Sequence, residues 1–175
     1  MSAYNARVND IAPAIVTMLN NNNVSTVYAR CIVAQAIQES SGSYGVGWSQ
    51  LANTYNNFFG MTAGASWTGK TVTYGSYTYR AYDSRVEGFQ GYYDFIAVSS
   101  YFKGLFETGG TAEAYFNWLQ GGNPTGVSWA EDPNYKSKCI RIYNAIADDY
   151  NWDNPPGSDI LWLILAKGAK KRKWK

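Results

Sequence analysis

Glu39 is the residue whose type and position most clearly suggest chemistry. It ends an apolar helical run that begins at Arg30, and a glycine-rich segment, residues 40–47, follows directly. The 43 residues from 40 to 82 contain no Asp or Glu but carry ten aromatic side chains. Aromatic faces stack well on uncharged polar rings. A single acid beside an aromatic, acid-free stretch therefore predicts a cleft that cleaves sugars.

The role that suits Glu39 is that of a general acid. Cleavage of a glycosidic bond needs a carboxylic acid that protonates the leaving oxygen. Partial burial beside Tyr and Phe side chains should raise the pKa of Glu39, because burial disfavours the charged form. The ordinary alternative is a solvated glutamate in the last turn of a helix. A carboxylate at the C-terminal end of a helix interacts unfavourably with the helix dipole. This argues mildly against the view that Glu39 lies there because it stabilises the fold.

A second group must stabilise the oxocarbenium-like centre or activate the water that attacks it. The sequence leaves the identity of this second group open. Asp83 is the nearest acid after the gap, and in an inverting enzyme it would stand about 6.5 to 9.5 Å from the acid. An Asp directly before a helix is, however, usually an end cap or a turn residue. The other route uses the 2-acetamido group of the substrate itself. Because the second group is not identified, the stereochemical outcome of the reaction also stays open.

Composition excludes several classes of protein. The chain has no histidine, which rules out Ser-His and Cys-His catalysis and zinc sites built on imidazole. The formal charge of +2 is uneven, because six of the 15 basic residues lie in the last nine positions. The rest of the chain is acidic, unlike most nucleic-acid binders. We expect no metal, no organic cofactor and no nucleic-acid partner.

The length of 175 residues suits one domain with a sizeable core. We place this domain at residues 1–153 and an apolar and basic tail at 154–175. Cys31 and Cys139 fall inside helical patterns and are expected to be buried, with a disulfide left open. The N-terminus lacks the basic and apolar regions of a secretory signal, and no segment has the ~20 apolar residues that span a bilayer.

Periodicity and capping residues predict a mainly α fold with a small β-hairpin lobe (α+β). Apolar residues at helical spacing predict a first helix from Ile11 to about residue 20, with Pro13 near its start. Ser25 should cap the helix that ends at Glu39. Alternation around Gly75-Ser76 predicts a hairpin over residues 72–82 on a two-residue turn.

Three further helices follow the predicted hairpin. Ser84 and Glu87 have the spacing of a capping box and predict a helix with Val86, Phe89, Tyr93 and Ile96 facing inward. Thr111 should cap the next helix. Asp132-Pro133 predicts the start of a last core helix, with Asp at the cap and Pro in the first turn. The inward face of that helix should carry Tyr135, Cys139, Ile142 and Ile146.

Five short motifs occur in an order that resembles the glucosaminidase family of peptidoglycan hydrolases, glycoside hydrolase family 73. They lie at residues 34–41 (AQAIQESS), 56–61 (NNFFGM), 67–70 (WTGK), 79–84 (YRAYDS) and 131–136 (EDPNYK). Each motif alone is weak, but five in the correct order and approximate spacing make a strong signal. The similarity covers the chain from about residue 11 to about residue 152.

The resemblance implies a lysozyme-like fold that cuts the glycan strands of bacterial cell wall. The general acid of the family lies in its Gln-x-x-x-Glu-Ser motif, which lands on Glu39. A functional tyrosine of the family corresponds to Tyr135, which could orient water or the acetamido group, although a core position is an ordinary alternative. Family members usually carry a second acid in the β-lobe, and the hairpin of this chain has none.

Residues of the aromatic stretch are candidates for contact with the glycan. The candidates are Asn57, Phe58, Phe59, Trp67 and Tyr82. Either phenylalanine could equally be core, and the same alternative applies to Trp67 and Tyr82.

The resemblance, taken with the missing secretory signal, predicts a monomeric phage endolysin or virion-associated lysin that acts on bacterial peptidoglycan as a β-N-acetylglucosaminidase. The rival hypotheses are a muramidase, a lytic transglycosylase, or a non-catalytic wall-binding module. The tail, apolar at residues 160–165 and basic at 167–175, could bind an anionic wall polymer or a membrane surface. Its alternative is a solvated or engineered extension.

Overall fold

A computed structural model describes residues 1–41 and 47–156 of the chain. Within these residues the protein has six α-helices, a two-stranded antiparallel sheet and two 3-10 turns. The helices are α1 (Asn5–Asn21), α2 (Ala29–Ser40), α3 (Gln50–Tyr55), α4 (Arg85–Val98), α5 (Ala112–Leu119) and α6 (Tyr135–Ala145); the strands are β1 (Thr71–Tyr74) and β2 (Tyr77–Arg80), and the 3-10 turns are Thr26–Tyr28 and Leu105–Glu107. This architecture confirms the mainly α prediction with its small β-hairpin lobe.

Helix α2 forms the centre of the helical body. Every residue from Cys31 to Ile37 is buried, because α1, α5 and α6 pack around this helix. Ser25 caps the 3-10 turn that leads into α2, and its hydroxyl accepts a hydrogen bond from the Val27 amide. A helix buried on all sides has little freedom to move, so the side chains of its last turn are held in place from beneath.

Two helix starts differ from the sequence prediction. Helix α1 begins at Asn5, so Pro13 lies inside the helix rather than near its start. Pro13 has no N–H, so the Asn9 carbonyl one turn earlier lacks its usual helical hydrogen bond. Both residues are exposed, so water can take the place of that hydrogen bond.

Helix α6 begins at Tyr135, two residues later than predicted. The Asp132 carboxylate accepts a hydrogen bond from the Asn134 amide at 2.9 Å, and the Asp132 carbonyl accepts one from the Tyr135 amide at 3.0 Å. Asp132 therefore closes a turn before the helix rather than capping the helix itself.

The hairpin lobe has the predicted register and turn. Thr71 pairs with Arg80 and Tyr74 with Tyr77, and the turn residue Gly75 has a φ of +57°, a conformation that suits glycine. Strand side chains are exposed or only half-buried. The lobe therefore contributes little to the core.

The caps of α4 and α5 are as predicted. The Ser84 hydroxyl accepts a hydrogen bond from the Glu87 amide at 3.2 Å, and the Thr111 hydroxyl accepts one from the Ala114 amide at 3.2 Å. Helix α4 also passes very close to the loop that follows α3. A Cβ on Gly88 would lie 2.0 Å from the carbonyl oxygen of Asn56, so only glycine permits this approach.

Both cysteines are buried and free, in agreement with the prediction that they are buried. Burial raises the pKa of Cys31 and of Cys139 to about 12. In the described ranges, none of the helices combines the length and the apolar character needed to cross a membrane. The predicted apolar and basic tail, apart from residues 154–156, lies outside the described residues.

Candidate active site

Glu39 lies in the last turn of α2, half-buried, where α6 and the loop that carries Trp129 meet. The indole nitrogen of Trp129 donates a hydrogen bond to Oε1 of Glu39 at 2.9 Å. Burial raises the pKa of Glu39, while the Tyr135 hydroxyl and Trp129 act in the opposite direction with smaller effect. The net result is a carboxyl group whose pKa is raised above its ordinary value, as a general acid requires.

Tyr135 is the first residue of α6, and its side chain is almost completely buried. Its hydroxyl lies beside the Glu39 carboxyl, close enough to influence the pKa of Glu39, but it makes no well-formed hydrogen bond to any described residue. Burial raises the pKa of Tyr135 well above its ordinary value, so the hydroxyl remains protonated. The hydroxyl therefore has the Glu39 carboxyl as its neighbour, and a ligand or a water molecule beside that carboxyl can complete its hydrogen bonding.

A buried polar cluster lies beneath Glu39. Gln35, one helical turn earlier on α2, accepts hydrogen bonds through Oε1 from the hydroxyl groups of Tyr92 at 2.8 Å and Tyr115 at 2.9 Å. All three side chains are fully buried. Because these hydrogen bonds link α2 to α4 and α5, the backbone that carries Glu39 is fixed to two neighbouring helices.

An aromatic groove runs beside Trp129. It has a volume of about 410 Å³ and is lined by the backbone around Gly60 and by side chains that include Phe59, Arg80, Phe95, Phe102 and Trp129. The Trp129 ring makes edge contacts with Phe59 and Phe95 at centroid distances of 6.3 and 6.0 Å. Trp129 thus forms part of the groove wall and also holds the carboxyl of Glu39.

The two phenylalanines predicted to contact the glycan have different positions. Phe59 stacks on Tyr92 with a centroid distance of 3.9 Å and lines the groove. Phe58 is 1% exposed and stacks on Phe89 at 4.9 Å inside the core. Phe58 therefore supports the groove from beneath and does not line it. Of the two alternatives given for this residue, the structure thus favours the core position.

Asn57 is also buried and holds the groove floor in place. Its side-chain nitrogen donates to the carbonyl groups of Met61 and Arg80, each at 2.9 Å, and its oxygen accepts from the Met61 amide at 3.0 Å. These hydrogen bonds join the loop 57–61 to strand β2. Asn57 therefore positions groove residues and does not face a ligand itself.

Trp67 and Tyr82 lie on the lobe side of the groove. The Trp67 ring meets Tyr82 edge-on at 5.6 Å, and the guanidinium of Arg80 lies 4.7 Å from the Trp67 ring centroid. Tyr82 packs against Gly91 of α4, and burial raises the pKa of Tyr82. Neither side chain lines the groove directly, so the structure places Trp67 as a brace for Arg80.

Asp83 is exposed and forms an ion pair with Lys70. Its backbone amide donates to the Glu87 carboxylate at 3.1 Å. Within residues 1–41 and 47–156, no hydrogen bond, ion pair or electrostatic effect connects Asp83 with Glu39. The described contacts of Asp83 are therefore with Lys70 and Glu87. The same ranges contain no group of three His, Cys, Asp or Glu residues arranged to hold a metal ion.

Sequence reasoning missed Trp129 and Gln35. Gln35 carried a usable signal, because it is an uncharged polar residue inside the otherwise apolar run 31–37. Trp129 carried none, since it lies in a loop without periodicity and reaches Glu39 across 90 positions of the chain.

Comparison with known proteins agrees with this geometry. The sequence profile of the glucosaminidase family, described as mannosyl-glycoprotein endo-beta-N-acetylglucosaminidase, matches residues 17–148. A peptidoglycan hydrolase from Sphingomonas sp. A1 is similar in structure, with 26% identity, a TM-score of 0.58, and coverage of 98% of this chain and 99% of the other. Comparison with curated protein sequences yields no significant match.

Two further solved structures have the same fold at lower identity. The catalytic domain of the autolysin Auto from Listeria monocytogenes has 24% identity and a TM-score of 0.61, with coverage of 83% of this chain and 86% of the other. The glycoside hydrolase domain of FlgJ from Salmonella typhimurium has 21% identity and a TM-score of 0.60, with coverage of 97% and 96%.

The chain belongs to the glucosaminidase family, because the family profile matches well over half of its length. This confirms the resemblance drawn from the five motifs and the lysozyme-like fold that it implied. By family the protein is a glycoside hydrolase.

Proposed function

We propose that this protein is a peptidoglycan hydrolase that cleaves the β-1,4 bond after N-acetylglucosamine, with Glu39 as the general acid. The observation that supports this most strongly is a carboxyl of raised pKa that accepts a hydrogen bond from Trp129. Trp129 lines the aromatic groove, whereas Glu39 lies behind it and is not itself one of the lining residues. The similarity to a peptidoglycan hydrolase from Sphingomonas sp. A1 supports the choice of glycan. An aromatic groove suits sugar rings, whose faces stack on aromatic side chains.

The proton of the acid resides on the oxygen that Trp129 does not hold. The indole N–H donates to Oε1, so Oε1 acts as an acceptor and Oε2 carries the proton. From Oε2 the proton passes to the glycosidic oxygen as the bond to the sugar breaks. Burial keeps the acid protonated at a higher pH than a solvated glutamate would allow.

The acetamido group of the substrate is our proposed second catalytic group. No carboxylate among residues 1–41 and 47–156 acts on the pKa of Glu39, and Asp83 is engaged with Lys70. An acetamido oxygen can attack the sugar carbon from within the substrate. The Tyr135 hydroxyl, buried and without a well-formed hydrogen bond to a described residue, is our proposed donor that orients this group or the attacking water.

The Glu39→Gln variant tests the central role. It keeps the size of the side chain but cannot donate a carboxyl proton, so release of soluble fragments from purified cell wall should fall by about 10²- to 10⁴-fold. Glu113→Gln is the matched control, since Glu113 is an exposed acid of α5 that pairs with Lys136. Full turbidity loss by a folded Glu39→Gln protein would reject the proposal.

A lytic transglycosylase or a muramidase is the second candidate. A single acid without a second carboxylate partner also fits a reaction that ends in an anhydro sugar. Mass spectrometry of digested muropeptides separates the candidates. An N-acetylglucosamine reducing end supports the glucosaminidase, while an anhydro or N-acetylmuramic acid end supports the alternative. Binding to cell wall without soluble products would instead indicate a non-catalytic module.

The domain division and the role of the tail are separate proposals. We propose that residues 1–153 form the catalytic domain and that the tail, residues 154–175, attaches it to an anionic wall polymer or membrane surface. The six basic residues of the last nine positions support this attachment. Deletion of the residues after Pro156 should weaken sedimentation with cell wall and leave cleavage of a soluble glycan intact. Unchanged sedimentation would contradict the role of the tail.

A further inference from the structure

Arg80 is the one charged side chain among the described residues that line the aromatic groove. It is the last residue of β2 and is half-buried. None of the carboxylates in the described parts of the chain lies within ion-pair distance of it. This includes Asp94 of α4, which hydrogen-bonds with Gln90. The groove therefore contains a positive charge that no described acid neutralises.

The guanidinium group of Arg80 is held in a fixed orientation. Its Nε donates to the Thr62 carbonyl at 3.1 Å. The guanidinium carbon lies 4.7 Å from the Trp67 ring centroid and 5.8 Å from that of Phe95. Arg80 also acts on the Tyr82 hydroxyl, whose pKa it lowers against the larger effect of burial. None of the described carboxylates pairs with the guanidinium, whose fork geometry matches a carboxylate.

Arg80 is also connected to the proposed acid through the groove wall. Arg80 contacts Phe95, Phe95 contacts Trp129, and Trp129 donates to Glu39. Arg80, Phe95 and Trp129 all line the groove, so a ligand in the groove would lie against the side chain that holds Glu39. Charge complementarity at such a position contributes more to specificity among ligands than to overall affinity.

We propose that Arg80 is a specificity-determining residue that receives a carboxylate of the substrate, so that the groove prefers anionic peptidoglycan strands to neutral chitin-type strands. This rests on the proposed function at Glu39 and extends it. Peptidoglycan offers two sources of this chemistry, which are the lactyl carboxylate of a peptide-free muramic acid and the carboxylates of the attached peptides. Chitin oligosaccharides have the same β-1,4 linkage but carry neither.

The experiment measures dissociation constants by calorimetry in the Glu39→Gln background, where the ligands survive. Three ligands are compared: a neutral chitin oligosaccharide, peptide-free glycan strands and peptide-bearing strands. Arg80→Gln should weaken the anionic ligands about tenfold, the value of a lost hydrogen bond between charged groups, and leave the neutral ligand within about twofold. Arg80→Lys should retain part of the preference. Lys70→Gln, which removes an exposed cation of the same lobe, is the matched control and should change neither.

Each outcome decides the matter. Weaker binding of peptide-free strands identifies the lactyl carboxylate, and weaker binding of only the peptide-bearing strands identifies a peptide carboxylate; either supports the proposal. Equal weakening of the neutral and anionic ligands would show that Arg80 only braces Trp67 and would overturn it. Should Arg80→Gln fail to fold, Arg80→Lys and the salt dependence of the parent protein give the same comparison. If the parent protein binds no glycan, both the inference and the proposed function fail.

Discussion

The two walls of the active site are built in opposite ways. On the helical side, Glu39 ends a helix that is buried over Cys31 to Ile37, and a hydrogen-bonded cluster around Gln35 lies beneath it. On the lobe side, the strands of the hairpin are exposed or half-buried, and they are attached by the Asn57 side chain and by backbone hydrogen bonds to Met61 and Ala63. The comparison teaches that the body fixes the proton donor, whereas the lobe presents aromatic and cationic groups on a lightly packed support.

Asn57→Ala should give the largest effect, because it removes a buried side chain that helps to join the hairpin to the loop 57–61. Three hydrogen bonds disappear, and the Met61 amide loses its partner, although the Met61 carbonyl keeps a hydrogen bond from the Arg80 amide. We expect a loss of about 2 to 4 kcal/mol in the free energy of unfolding, measured by urea denaturation. Asn53→Ala, an exposed change in α3, is the control. Equal stability of both variants would show that the lobe is held by other contacts.

Glu39→Gln should change stability in a way that depends on pH. Burial raises the folded-state pKa of Glu39 above the ordinary value of a glutamate, so its contribution to stability is complete at low pH. That contribution is lost as the pH rises above the unfolded-state pKa and through the folded-state pKa. The free energy of unfolding of the variant should therefore rise relative to that of the wild type as the pH increases over this window. Parallel curves of unfolding free energy against pH would show that the pKa of Glu39 is not raised.

Trp129→Phe should shift the pH dependence of activity. The Trp129 hydrogen bond lowers the pKa of Glu39, so its removal raises that pKa further. The basic limb of the pH–rate profile, where the acid loses its proton, should move to higher pH. Trp152→Phe is the matched control, because it loses an indole hydrogen bond to the Ile146 carbonyl, and neither residue lines the groove. A shift in the control as well would mean that the effect is not specific to Glu39.

Asp83→Asn should give the smallest effect. The ion pair with Lys70 is largely exposed, with 67% and 64% of the two side chains accessible, and such pairs contribute less than about 1 kcal/mol. Turnover should stay within about twofold if the acetamido group assists the reaction. A loss of about 10²-fold or more would instead give Asp83 the role of general base.

Local signals predicted most of the fold. Caps at Ser84 and Thr111 and the turn at Gly75 act over three or four residues, so the sequence displays them directly. The start of α6 was misplaced because Asp132 can close a turn as readily as cap a helix.

The candidate site was less accessible from the sequence. Glu39 was identifiable because a helix end, a glycine-rich loop and a family motif coincide there. Phe58 and Phe59 could not be separated, since neighbouring loop residues have no period that assigns one to the core and one to the groove. Trp129 depends on a contact across the fold that no local pattern encodes.

The free thiols of Cys31 and Cys139 have a practical consequence. Both are enclosed in the helical body with a pKa of about 12, so almost no thiolate exists to react with oxidants or alkylating reagents. No covalent cross-link between these two residues contributes to the fold. Reducing agents such as dithiothreitol should therefore leave the stability of the helical body unchanged.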